Sequence, residues 1–106
     1  MKLQELVLLD FNNWLVEKYP QLINLWNDLP DFIQNESFLE YARVKHGIHG
    51  EVCNDVGRYV GFIDWNNGFQ YHTETVCEEV ITRDLAMGKV IKKVDNIIFD
   101  LLNKAN

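Results

Sequence analysis

The chain has 106 residues, 47% hydrophobic and 25% charged, with 16 acidic residues against 10 basic ones and a formal net charge of −6. That length holds one compact domain around one core. The balance of apolar and charged residues excludes a disordered chain, a collagen-like repeat and a disulfide-dense miniprotein.

Residues 2–18 read as a helix. Leu3, Val7, Phe11 and Trp14 recur at spacings of four and three, and Leu6 and Leu15 widen the stripe. Tyr19-Pro20 ends it, because a residue before proline is pushed out of the helical region. A second, short helix is expected from Pro20 to Leu29, with Leu22, Leu25, Trp26 and Leu29 as its apolar face and Pro30 closing it. Ser37-Phe38-Leu39-Glu40 fits a capping box and predicts a third helix over 38–46, stopped by Gly47. A strand is the alternative there, since Phe38, Glu40, Ala42 and Val44 also alternate.

Residues 47–58 are broken by three glycines, and a short helical turn over 51–56 is the reading kept for them. Tyr59 to Trp65 predicts a strand with Tyr59, Gly61, Ile63 and Trp65 on one face and Val60 and Phe62 on the other. Asn66-Asn67-Gly68 is a hairpin signal, so a return strand is expected from Phe69 to Thr75. Alternation puts Gln70, His72, Glu74 and Val76 on one face, read here as facing solvent. Residues 76–81 fit either a strand end or a first helical turn. The strongest periodicity lies in Met87, Val90, Ile91, Val94, Ile97, Ile98, Leu101 and Leu102, which predicts a long terminal helix starting near Thr82 or Asp84. Ile91, Val94, Ile98 and Leu101 are its expected buried positions. The expected fold is α+β: three N-terminal helices, one antiparallel β-hairpin over about 59–75 and a long C-terminal helix in a single compact domain.

No apolar run is long enough to cross a membrane. Glu5 and Asp10 bracket the run from Leu6 to Leu9 and no small-residue cleavage site follows, so a cytoplasmic location is the expectation. In a reducing compartment Cys53 and Cys77 are expected as free thiols without a mutual disulfide.

Five soft ligands, His46, His49, Cys53, His72 and Cys77, fall within one segment and are weak candidates for a zinc site. Their spacing matches no common zinc module, and no Cys-x-x-Cys pair occurs, so no cofactor is expected. The same residues allow a thiol enzyme only if the fold joins a cysteine to a histidine, and no flanking signature supports that. The paired acids fit no general acid–base site, and no glycine-rich phosphate loop occurs. Residues 37–75 admit a winged-helix reading with Arg43, Lys45, His49 and Arg58 as its basic residues. The net charge of −6 opposes it, because acidic surfaces repel phosphate.

The expected function is that of a small acidic binding protein rather than an enzyme. Residues 1–42 carry seven acids against two lysines, and residues 61–87 carry five acids against one arginine. Such a surface attracts a basic protein, such as a nuclease or toxin, and suits neutralisation by blockage of its substrate surface. The mode is that of an immunity protein or a phage-encoded inhibitor. Asp64, Trp65, Glu74, Glu78 and Glu79 are the candidate contact residues, with Trp65 as aromatic anchor unless it folds back on a helix. Asp28 and Asp31 form a second acidic patch.

Overall fold

The computed structural model describes residues 1–67, 70–80 and 82–104. The elements run α1 (Glu5–Lys18), two 3-10 turns (Pro20–Leu22 and Trp26–Asp28), α2 (Asp31–His46), β1 (Ile48–Asp55), β2 (Arg58–Asn67), β3 (Gln70–Val80) and α3 (Arg83–Lys104). The three strands form an antiparallel meander in the order β1-β2-β3. The class is α+β, as expected, but the sheet has a third strand and the helices are distributed differently.

In α1, Val7, Phe11, Trp14 and Leu15 are buried on one stripe. The Tyr19 N–H closes its last turn on the Leu15 carbonyl at 2.7 Å before Pro20. The expected second helix is instead two separate 3-10 turns. Pro20 starts the first, and Leu25 and Leu29 carry the chain between and past them without an α-helical hydrogen-bond ladder. The third helix starts at Asp31, seven residues before the expected Phe38. Ser37 is therefore no cap: it lies inside α2, and its hydroxyl donates back to the Ile33 carbonyl at 2.8 Å. Gly47, with φ of 67°, ends α2 as expected by taking the left-handed conformation.

Residues 48–55 are a strand and not a helical turn. Gly50 hides this from the sequence by leaving a gap in the apolar alternation of Ile48 and Val52. The gap is needed. A Cβ on Gly50 would lie 2.9 Å from a Val90 methyl and 3.2 Å from a Leu39 methyl, so its absence lets α2 and α3 approach the sheet. This also removes the winged-helix reading's second helix.

Pairing of Ile48 with Trp65, Gly50 with Ile63 and Val52 with Gly61 sets the inner face of β1 and β2. Ile48 and Ile63 are fully buried there. The expected split of β2 into two faces therefore holds. Pairing of Ile63 with Glu74 and Trp65 with His72 puts Glu74 and His72 on that same inner face. The grouping of Gln70, His72, Glu74 and Val76 is right but its direction is reversed: Val76 packs against the core. The opposite face carries His49, Glu51, Cys53, Phe62, Asp64, Tyr71 and Thr73.

β2 runs to Asn67 and β3 starts at Gln70, its register partner. The Gly68 and Phe69 part of the expected Asn-Gly turn lies outside the described residues. β3 continues to Val80, which resolves the open segment 76–80 as strand. Thr82 then caps α3, its hydroxyl accepting the Leu85 N–H at 3.2 Å.

α3 lies across all three strands and against α1 and α2. Met87, Val90, Ile91, Val94 and Ile98 are buried as expected, but Leu101 is exposed. The packed side runs from Ile98 to Leu102, four residues on, and leaves Leu101 beside it. Under the helices Phe11 gathers Trp14, Trp26, Phe38 and Tyr41, with ring centroids 5.0–6.4 Å away. Among the described residues no helix is long and apolar enough to cross a membrane.

Candidate functional site

The expected hairpin face divides once folded. Trp65 is half-buried against the core and stacks on His72, ring centroids 5.1 Å apart. It folds back rather than projecting from the hairpin. Glu74, half-buried, pairs with Lys93 of α3 at 3.5 Å. Asp64 lies on the other face, opposite His49. Local desolvation, the charge of Asp64 and a hydrogen bond to it together raise the neighbouring Tyr71 phenol above its ordinary pKa. The side chains of Glu78 and Glu79 lie outside the described part of β3. The sheet thus separates Asp64 from Trp65 and Glu74, which alternation along β2 requires.

The described soft ligands do not converge. His46 sits at the end of α2, and His49 pairs with Glu51 at 3.6 Å on the outer sheet face. Cys53 shares that face but stands four residues on, about 13 Å along a strand. It is a free thiol. His72 is on the inner face, and the Cys77 side chain lies outside the described part. Among the described residues no group of three His, Cys, Asp or Glu side chains is placed to hold a metal ion.

A polar cluster that the sequence did not announce joins α1 to the end of α2. Asp10 accepts the Tyr41 hydroxyl at 2.5 Å and the Lys45 ammonium at 2.7 Å, and His46 Nε2 lies 3.0 Å from the same carboxylate. Burial by itself raises the Asp10 pKa, but the hydrogen bonds from Lys45, Tyr41 and His46 outweigh it and hold the carboxyl below its ordinary value. Burial, reinforced by Asp10, pushes the Tyr41 phenol up. The cluster binds two helices together, and neither of the two grooves described below includes it. It reads as a structural latch.

The larger groove, about 680 Å³, lies where three helices begin: Gln4 before α1, Asp31 in α2 and Asp84 in α3 all line it. Asp95 of α3, only 5% exposed, accepts the Gln4 N–H at 3.3 Å and the Gln4 amide at 3.1 Å. Three carboxylates at three helix N-termini offset the helix dipoles, and Lys2 and Lys92 stand on the same walls. Asp84 and Asp95 of this groove therefore have a structural reason, and Asp31, which offsets the α2 dipole, is in addition exposed and without an ion pair among the described residues.

A second group of acids runs from the second 3-10 turn into α2. Residues 19–42 contain Asp28, Asp31, Glu36 and Glu40 and no Lys, Arg or His. Asp28 and Asp31, the candidate second acidic patch, are exposed, and so is Glu36; none of the three makes an ion pair among the described residues. Glu40 accepts the Tyr19 hydroxyl at 3.3 Å, and its charge raises the Tyr19 pKa. Phe32 stands in this acidic stretch with 67% of its surface exposed. It separates the larger groove from a second one of about 440 Å³, lined by Glu36, Leu39, Glu40 and Arg43 of α2 and by His49 and Gly50 of β1. Sequence reasoning missed Phe32 because the helix was started six residues too late to include it. Its one signal was a bulky aromatic directly after Asp31 in a stretch without cations.

No family model, curated protein or solved structure matches the chain.

Proposed function

We propose that the chain is a small acidic binding protein that neutralises a basic protein partner. The partner class is a nuclease or another toxin acting on nucleic acid, blocked where it would hold substrate phosphates. This is the mode of an immunity protein or a phage-encoded inhibitor. The observation that carries the reading is the stretch 19–42, which holds four acids and no Lys, Arg or His: Asp28 in the second 3-10 turn and Asp31, Glu36 and Glu40 in α2, with exposed Phe32 among them. Asp28, Asp31 and Glu36 are exposed and make no ion pair among the described residues; unpaired like charges repel one another and cost stability, and a complementary partner relieves that repulsion. A large exposed aromatic within this stretch supplies the apolar contact that a charged rim alone lacks. The contact surface proposed is therefore the second acidic patch extended along α2, with Asp64 on a separate face.

The test has two steps. The full chain is used as bait at low salt, and the captured protein is identified, purified and assayed for nucleic-acid cleavage with increasing amounts of the chain. A strongly basic partner, inhibited to completion near equimolar ratio, is expected. Binding should weaken steeply above physiological salt, where charges are screened within about 8 Å. The variant Asp28→Asn/Asp31→Asn/Glu36→Gln/Glu40→Gln should lose inhibition while keeping the parent's circular dichroism. Equal inhibition by that variant overturns the assignment of this surface. Tight binding of the chain to nonspecific DNA in a mobility-shift assay overturns the inhibitor reading itself.

A further inference from the structure

We infer that the Phe32 face of α2 docks an arginine-bearing segment of the partner, and that it discriminates arginine from lysine; this rests on the binding reading above. Phe32 and Glu36 are one helical turn apart and line the same groove, so ring and carboxylate face one another across about 5–6 Å between Cβ atoms. Asp31 lies on the other side of Phe32, on the wall of the larger groove. The face thus offers an exposed ring with an unpaired carboxylate on each side.

An ammonium and a guanidinium meet this face differently. Both feel the acidic charge. Only the guanidinium is planar, so only it stacks flat on the Phe32 ring and, from that position, donates in its own plane, parallel to the ring, to a carboxylate. A lysine ammonium is a compact, strongly hydrated point charge that gains little from the ring at an exposed site. Leu39 and Gly50 also line the groove between α2 and β1 and offer apolar surface to the methylene stem of the incoming side chain. Charge complementarity selects the occupant: Asp31 and Glu36 beside Phe32 are exposed and make no ion pair among the described residues, and the groove's own cations, Arg43 and His49, stand eleven residues along α2 from Phe32 and on β1.

The experiment titrates the full chain with fluorescent nona-arginine and nona-lysine peptides by anisotropy at low salt. Nona-arginine should bind roughly two- to fivefold tighter, the range for an exposed cation–π contact. Phe32→Ala should abolish the preference by weakening only nona-arginine, and Phe32→Tyr should restore it. Glu36→Gln should weaken both peptides and narrow their difference. Equal affinities in the parent, or a preference that survives Phe32→Ala, overturn the inference. In that outcome salt-sensitive binding of both peptides leaves the acidic-surface function standing. Failure of both peptides to bind overturns the inference and that function together.

Discussion

Val56 sits at the β1–β2 turn with φ of 50°, and Gly57 follows with φ of 78°. Positive φ at both central residues is the pattern of the I′ turns that match strand twist, and it favours Asn-Gly. A β-branched residue is poorly suited to the first position, because its Cβ crowds the backbone in the left-handed region at about 1–2 kcal/mol. Val56 recovers nothing by burial, being 95% exposed. Val56→Asn should therefore stabilise the protein by about 1 kcal/mol, since Asn tolerates that region several-fold better. For a domain of this size that shifts the melting temperature by about 4–8 °C, read by circular dichroism or calorimetry. Val56→Ala separates the causes: it removes the exposed apolar surface but keeps most of the backbone penalty, so it should stay near the parent. Gly57→Ala should lose about 1 kcal/mol although its new Cβ meets no atom within 4 Å, because the cost is conformational and not steric. A Val56→Asn protein that melts at or below the parent temperature, with Gly57→Ala neutral, refutes the reasoning.

Ile98→Ala, at a fully buried position, should cost about 2–5 kcal/mol in denaturant unfolding, whereas Leu101→Ala, at 39% exposure, should cost under about 1 kcal/mol. Equal losses would mean that the last turns of α3 pack differently. The Asp10 latch predicts acid lability. A carboxyl held below its ordinary value of 3.8 contributes stability that is present above that value and lost as pH falls through the folded value. Asp10→Asn should flatten the decline in denaturation midpoint between about pH 5 and pH 3, and an unchanged pH slope would show that the latch contributes nothing.

The α+β class, α1, most of α3 and the two faces of β2 were legible because each rests on local spacing. A helix of period 3.6 or a strand of period 2 writes its covered stripe directly into the chain, as Val7, Phe11 and Trp14 or Val90, Val94 and Ile98 do. β1 was not legible, because Gly50 belongs to no local pattern and is explained only by the methyl groups of Val90 and Leu39 pressed against it. Ser37 followed by Glu40 carried a cap signal that lost to a helix already begun at Asp31, where interior packing of Phe38, Leu39 and Tyr41 continues the same ladder. The candidate site was legible in part. The acids Asp28 and Asp31 and the net charge belong to the sequence, but whether Glu74 meets water or Lys93 depends on which face of β3 the register turns toward α3. Alternation is symmetric, so it groups residues on a face without saying which face is covered. The Asp10 latch spans 31 to 36 residues and the Gln4–Asp95 contact spans 91, distances over which no periodicity carries information. Phe32 was decided last and only by packing: its helix turned Phe38 and Tyr41 inward, and the same rotation left the Phe32 ring in water between two acids.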